Sequence, residues 1–423
     1  MERTDEFYLS CTLNLAKLGE AKAFPNPIVG ALIVSDGLVI GEGFHREYGK
    51  AHAEPNAVSN LKRNILSFLD KGAKTEDYFT VNPKFTYLAK EDELNIFFKK
   101  ALEQCNKSES QDIEDILNKL ILSICRKATI YVSLEPCNHY GKTAPCTKLI
   151  KDLGFKRLVY AYKDPNPIIR NNSENLLHDS DIEILYLNDA DLRKRFEFDN
   201  RIFLHLMKRP EDHLHTHYLS LKVAAYPDGS METKKDEKWI SNSFSRKDVQ
   251  RLRACNEILV TGINTIKRDN PSLNVRLSPE EMNLSDITRR EIFILKSSQD
   301  FSEAERKNLK IFKTNAEQEI VEIFIESSLV SIFPTSSKRL MIEAGPRLVS
   351  SFLSNTKLVN EIIHYEPFME NESMSLEIIS EKKERIMQYY LNINPRLNLQ
   401  IIKEEIMHSE GERSDLKLII RVI

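Results

Sequence analysis

Long apolar runs are missing from this sequence: no stretch approaches the roughly eighteen apolar residues that a membrane span needs. The N-terminus, beginning Met-Glu-Arg-Thr-Asp-Glu, has no apolar signal core either. Cysteine is scarce, with six in 423 residues, which fits a reducing compartment better than a disulfide framework. These absences lead to the expectation of a cytoplasmic protein with no membrane partner. An excess of one charge is also missing. Sixty basic residues against 63 acidic ones leave a net charge of -3, which gives no electrostatic reason to expect nucleic acid as a partner. Apolar side chains are plentiful, at 41%, and the length suits two or three domains.

The chain is organised around the run from Leu134 to Thr147, read with the earlier Ala51-His52-Ala53-Glu54. His52, Cys137 and Cys146 offer one imidazole nitrogen and two thiolates to zinc, leaving the fourth tetrahedral position open for water. Zn2+ lowers the pKa of such water toward neutrality. Glu54, two residues past the histidine, is the candidate proton shuttle. A His-x-Glu followed by Pro-Cys and a further Cys is the signature of zinc deaminases acting on amino-pyrimidine or purine rings. A structural zinc site would need a fourth Cys or His, for which His139 is the candidate.

Apolar spacing predicts a helix over 6–18, ended by Pro25-Asn26-Pro27, then strands over 28–34 and 40–44 joined by an Asp36-Gly37 hairpin turn. His52 opens the next helix, with Pro55 tolerated in its first turn. Asn26, between two prolines, is placed to hydrogen-bond a heterocycle edge, and His45 is its companion as a substrate-binding candidate. Residues 62–128, rich in Lys, Glu and Asp, read as an inserted, mostly helical surface element with helical patterns near 93–102 and 113–124. The β-branched and aromatic run 129–134 is a central strand that delivers Cys137 at its end. Residues 146–153 form the following helix, and strands over 157–162 and 182–186 complete a three-layer α/β domain spanning 1–188. Residues 189–217 read as a linker: a charged helix over 191–203, then a solvated loop carrying His213, His215 and His217.

A second domain, 218–423, begins with a strand over 218–225 and an Asp228-Gly229 turn. A helix bearing Arg246, Asp248, Arg251 and Arg253 follows, then a buried strand over 257–260 and a small-residue turn at 261–265. Another strand–turn–helix junction lies at 339–348. Such turns let backbone N–H groups approach a phosphate at a helix start. Arg253 and Arg276 suit a substrate phosphate because a guanidinium binds it bidentately.

With these motifs in place, the chain resembles the bifunctional riboflavin-biosynthesis family, in which a diaminohydroxyphosphoribosylaminopyrimidine deaminase is fused to a 5-amino-6-(5-phosphoribosylamino)uracil reductase. The likeness rests on Pro25 to Gly30, His52-Ala53-Glu54 and the Pro136–Thr147 motif, which has eight residues between its two cysteines where nucleic-acid deaminases have Cys-x-x-Cys. In the second half it rests on Leu221 to Ala224, Asp228-Gly229, Trp239 to Ser241, Arg253, Thr265, Asp269 to Arg276 and Glu343 to Leu348. The resemblance implies an α/β protein with a cytidine-deaminase-like N-terminal domain and a dihydrofolate-reductase-like C-terminal domain using NADPH. It implies that Ala224, Trp239, Thr265, Asp269, Gly345, Pro346, Arg347 and Leu348 touch that cofactor. Arg253, Leu273, Arg276 and Glu343 would hold a small phosphoribosylated pyrimidine, and Lys222 would bind or polarise its sugar. The family often self-associates, so a homodimer is expected.

The chain departs from the family pattern at Tyr226-Pro227 before Asp228-Gly229, at Ala344, after Asp164-Pro165-Asn166-Pro167, over 278–338 and beyond Tyr365. Two other readings follow. One is a deaminase whose second half is only structural. The other, a nucleoside or RNA deaminase, would not need residues 218–423.

Overall fold

A computed structural model of the protein describes residues 3–69, 91–105, 113–140, 144–166, 170, 172–177, 180–207, 217–235, 237–278, 281, 290–313, 318–324, 338–355, 358–369 and 372–423. The chain divides into two compact units, Met1–Met207 and Lys208–Ile423.

The first unit runs α1 (Asp5–Ala16), β1 (Gly30–Ser35), β2 (Leu38–Phe44), α2 (Ala53–Leu69), α3 (Glu91–Cys105), α4 (Ile113–Cys125), β3 (Thr129–Val132), α5 (Cys146–Leu153), β4 (Arg157–Tyr160), α6 (Asn172–Leu177), β5 (Glu183–Tyr186), α7 (Ala190–Asp199) and α8 (Arg201–Met207). Ser35 pairs with Leu38 across Asp36-Gly37, and both turn residues have positive φ, 50° and 76°. That turn matches the twist of the two strands. The sheet order is β2-β1-β3-β4-β5, with β3, β4 and β5 parallel and β1 antiparallel to both its neighbours.

Side chains alternate across this sheet. Ala31, Ile33, Ile130, Val132 and Leu158 join the core beneath α2, α4 and α5, while Leu32, Val34, Tyr131 and Val159 join Leu9, Leu13 and Phe196 on the opposite face. The three-layer α/β expectation holds. Gly43 lets α2 lie directly on β2: a Cβ there would collide with the backbones of Ala53 and Ala57.

Two expectations for this half are corrected. The described parts of the 62–128 stretch are not a surface element. Leu94 and Phe98 of α3, and Leu117, Leu120, Ile121 and Ile124 of α4, are buried in the same core as Leu61 and Ile65 of α2. The segment read as a charged linker helix is instead α7 and α8, whose Leu192 and Phe196 are buried against α1 and β4 residues. Charge on the outer face of α7 hid this narrow apolar stripe. His213 and His215 lie outside the described residues. His217 is not solvated: it is buried at the start of the next strand, and its Nδ1 accepts from the Lys338 N–H at 3.2 Å.

The second unit runs β6 (Tyr218–Ala224), α9 (Ser243–Cys255), β7 (Ile258–Gly262), α10 (Ile263–Asp269), β8 (Arg290–Lys296), α11 (Glu303–Asn308), β9 (Gln318–Phe324), β10 (Arg339–Glu343), α12 (Pro346–Ser354), β11 (Glu361–Pro367), α13 (Leu376–Ile393), β12 (Leu399–Met407) and β13 (Asp415–Val422). Its eight-stranded sheet has the order β12-β13-β11-β6-β10-β7-β8-β9. It is parallel from β11 to β9 and antiparallel through β13 and β12. The tail beyond Tyr365, unlike the family pattern in sequence, completes the fold, with Ile386, Tyr390, Leu416, Leu418 and Ile420 inside the main core. Among the described residues, no helix is long and apolar enough to cross a membrane.

Candidate functional site

In the first unit, β3 ends at Val132 and the chain runs through Glu135 to Cys137, while His52 immediately precedes α2 and Cys146 is the first residue of α5. The carboxyl end of an open sheet thus meets two helix starts, the usual place for a site in such folds. His52 Nδ1 lies 3.4 Å from each of Cys137 Sγ and Cys146 Sγ. The three donor atoms all lie within 4.8 Å of one another. Tetrahedral zinc at about 2.3 Å from sulfur and 2.0–2.1 Å from nitrogen sets N and S about 3.5 Å apart, so the donor set fits the ion in chemistry and spacing. His139 lines the same cavity but is not part of this cluster, which leaves three protein donors among the described residues.

Hydrogen bonds from Cys146 and His52 lower the Cys137 thiol, while the Cys137 hydrogen bond and burial raise that of Cys146, so the two thiols share one hydrogen-bonded cluster with the imidazole. Burial pushes the Glu54 carboxyl up, and the Cys137 charge adds to the rise. Glu54, 3% exposed, shares a cavity of about 320 Å³ with His52, Cys137, Asn26 and His45. A buried carboxyl whose pKa is raised is a better proton acceptor than an exposed one and can return the proton it takes.

Asn26 Nδ2 and His45 Nε2 are 3.1 Å apart, and His45 Nδ1 is 3.1 Å from the Ala51 carbonyl oxygen. Nδ1 therefore carries the proton and Nε2 accepts from the Asn26 amide. Burial lowers the His45 pKa, in keeping with a neutral ring. The five residues expected to act together here (Asn26, His45, His52, Glu54 and Cys137) line one cavity, and Cys146 meets them through the donor cluster.

Residues that the sequence reading overlooked stand in the same cavity. Asp164, pushed up to about 6 by burial, and Asn166 follow β4, and Phe203 and Met207 come from α8. The available signal for the first two was their place just past the carboxyl end of a strand next to β3. Glu135 is buried beneath them, accepting from the Asp164 N–H at 3.1 Å and from Ser173 Oγ.

In the second unit, Lys222 on β6 pairs in register with Glu343 at the end of β10. Arg253 of α9 donates to both Glu343 oxygens, from Nε at 2.6 Å and Nη2 at 3.0 Å, and from Nη1 to the Asn274 carbonyl at 3.3 Å. Burial would raise the Glu343 carboxyl, but Arg253 and Lys222 outweigh it and hold the group below its ordinary value. Burial lowers the Lys222 pKa. Through Asn274 the cluster reaches the loop that carries buried Leu273 and exposed Arg276.

Two strand-to-helix turns meet beside it. A Cβ on Gly345 would sit 3.9 Å from Thr265 Oγ1, and one on Gly262 would sit 3.6 Å from the Leu348 side chain. Gly345 caps α12, with Pro346 in its first turn, and as a glycine it offers no side chain to the helix's leading N–H groups. Arg347 and Leu348 follow in that turn. Such a helix start suits a cofactor phosphate. Ala224 ends β6 opposite Tyr365. Trp239 and Asp269 make their contacts elsewhere: half-exposed Trp239 lies under the Arg246 guanidinium at 5.3 Å, and Asp269 lies beside Arg268 at the end of α10.

The family model described as the RibD C-terminal domain matches residues 217–368. The riboflavin biosynthesis protein RibD of Bacillus amyloliquefaciens is 32% identical over 274 residues, 64% of this chain and 56% of that protein. The protein of the same name from Aquifex aeolicus is 26% identical over 388 residues, 88% and 89% of the two chains. The matched region thus spans about half of the first relative and most of the second. Among solved structures, Acinetobacter baumannii RibD aligns with TM-score 0.59 at 24% identity, covering 99% of both chains. A Thermotoga maritima protein described as a diaminohydroxyphosphoribosylaminopyrimidine deaminase/5-amino-6-(5-phosphoribosylamino)uracil reductase aligns with TM-score 0.61 at 22% identity, also covering 99% of both. Both share the fold. Residues 217–368 thus match the RibD C-terminal domain, and the chain as a whole is similar to riboflavin-biosynthesis RibD proteins in sequence and shares the fold of the solved ones.

Proposed function

We propose that this chain carries out two successive steps of riboflavin biosynthesis in the cytoplasm, as a homodimer. The first is hydrolytic deamination of 2,5-diamino-6-(5-phosphoribosylamino)pyrimidin-4(3H)-one. The second is NADPH-dependent reduction of the ribosyl group of 5-amino-6-(5-phosphoribosylamino)uracil to ribityl. The observation that carries the reading is Glu54 sharing one cavity with a His52–Cys137–Cys146 donor set spaced for zinc.

Zinc, when bound there, makes water nucleophilic near neutral pH. Asn26 and His45 orient the heterocycle edge, the His45 acceptor being fixed by its Ala51 bond. A Glu54 carboxylate oxygen takes the proton of the attacking water and passes it to the exocyclic amine. The amine leaves as ammonia while a ring carbonyl forms. In the second unit NADPH, when bound, supplies hydride to C1′ of the sugar. The start of α12 holds its phosphate, Lys222 binds the sugar oxygen, and Arg253, Glu343 and Arg276 position the phosphoribosyl group.

A second reading, a deaminase with an inactive reductase-like unit, is favoured by one observation: Arg253 already commits Nε and Nη2 to Glu343. A two-part assay separates the two. With the diamino substrate, the wild type is expected to release ammonia and then oxidise NADPH. Glu54→Gln is expected to lose ammonia release by a factor of at least about 100 while retaining zinc. Ammonia release with flat NADPH absorbance selects the second reading, and zinc-loaded protein that releases no ammonia overturns the deaminase.

A further inference from the structure

We infer that α8 is a substrate-contacting wall of the first active site, and that Asn200, just before it, is the positioning residue that fixes the segment carrying Asn26. The inference rests on the deaminase reading and deepens it. The placement begins in α7. The Asp189 side chain caps this helix, accepting from the Asp191 and Leu192 N–H groups at 3.0 and 2.8 Å. Phe196, fully buried, stacks on Tyr162 at 4.3 Å between ring centroids, with the planes 16° apart. Tyr162 lies on the segment that leads from β4 to Asp164. The helix pair is therefore seated on the same edge of the sheet that carries the site.

Asn200, 3% exposed, then uses both ends of its amide on one residue far away in sequence. Its Oδ1 accepts from the Ile28 N–H at 2.7 Å, and its Nδ2 donates to the Ile28 carbonyl at 3.2 Å. This reciprocal pair imitates a neighbouring strand for a segment just before β1 that would otherwise bury an unpaired peptide. Ile28 is two residues from Asn26, and the next residue, Val29, accepts from the His45 N–H at 2.9 Å. Asn200 thus pins the backbone from which Asn26 reaches His45.

Beyond Asn200, Phe203 and Met207 stand four residues apart, on one helix face, and both line the cavity with His52 and Glu54. Leu206 on another face is buried. Most of the other lining residues are polar, so Phe203 and Met207 supply an apolar surface suited to the face of a flat heterocycle or its attached ribose. Neither side chain titrates, so neither can move a proton. Their contribution is uniform binding, which changes KM and leaves kcat nearly alone.

The test uses the full chain loaded with zinc, and reads kcat and KM for ammonia release, zinc per chain and the melting curve. Phe203→Ala, Met207→Ala and Asn200→Ala are each expected to raise KM by about tenfold, the scale of one apolar contact, with kcat within about twofold. Zinc content stays the same, and Phe203→Leu recovers most of the loss. Met207 is 39% exposed, so its truncation tests the wall without threatening the core. Unchanged KM in Phe203→Ala and Met207→Ala with normal turnover overturns the inference and spares the deaminase reading. A loss of zinc together with a lower melting point in Asn200→Ala reduces that residue to a structural role. A wild type that releases no ammonia removes both readings.

Discussion

His364 shows how one residue can tie stability to pH. It sits on β11 with 2% exposure, its Nδ1 2.7 Å from the Tyr390 hydroxyl of α13 and its Nε2 without a hydrogen-bond partner among the described residues. Burial drives its pKa down to about 3, and the charges of Arg385 on α13 and Lys222 on β6 push the same way. Glu366, two residues along, is engaged by Lys382 and Arg385. The unfolded chain therefore takes up a proton near pH 6.5, whereas the folded chain does not until about pH 3. Its contribution to stability is complete above pH 6.5 and is lost as pH falls toward 3, at about 1.4 kcal/mol per unit. Urea unfolding of the second unit at pH 7.5 and pH 5 should show wild type losing about 2 kcal/mol more than His364→Asn between the two. Parallel losses would mean that other groups control this acid limb.

At the scale of elements, legibility followed the strength of the local pattern. Strands β1 to β5 were placed within two residues of their observed bounds because β-branched runs are bounded by turn residues, and Asp36-Gly37 matches its turn chemistry. The zinc-type cluster was legible because its residue types are rare and its spacing specific. The surroundings of the helices in two segments were misread for the opposite reason. In α3, the buried Leu94 and Phe98 are interspersed with acidic and basic residues, and α7 hides Leu192 and Phe196 in the same way. Whether such a stripe faces water or a core depends on partners far along the chain, which local periodicity does not encode. The wall formed by α8 was hidden with it. Phe98, 1% exposed and 6.0 Å from Phe68 between ring centroids, measures the correction. Truncation of a core phenylalanine costs about 3–5 kcal/mol. Phe98→Ala should therefore lower the first unit's unfolding free energy by about 3 kcal/mol, well above the half kcal/mol or so typical of a surface site. A change below about 0.5 kcal/mol would restore the solvated-insertion reading.

For the whole molecule, the two units carry different candidate ligands within separate cores, so ligand removal and addition should act on different parts of an unfolding curve. A ligand stabilises the state it binds by RT ln(1 + [L]/Kd), about 2.7 kcal/mol at a hundredfold excess over Kd. Zinc bound by His52, Cys137 and Cys146 would couple the loop after β3 to the starts of α2 and α5, adding to the hydrogen bonds that Cys146 and Thr147 already make with Cys137. NADPH at the turn before α12 would instead bridge the β7 and β10 exits in the other sheet. In scanning calorimetry, a strong chelator should lower the transition of the first unit and leave the second within about a degree, and NADPH at about a hundred times its Kd should raise only the second, by several degrees. The assignment of peaks can be checked with Phe98→Ala, which moves the first unit alone. If NADPH moves neither transition while chelation moves the first, the two turns around Gly345 and Thr265 do not form a cofactor site. The second unit is then a scaffold in a chain whose chemistry resides at His52, Glu54, Cys137 and Cys146.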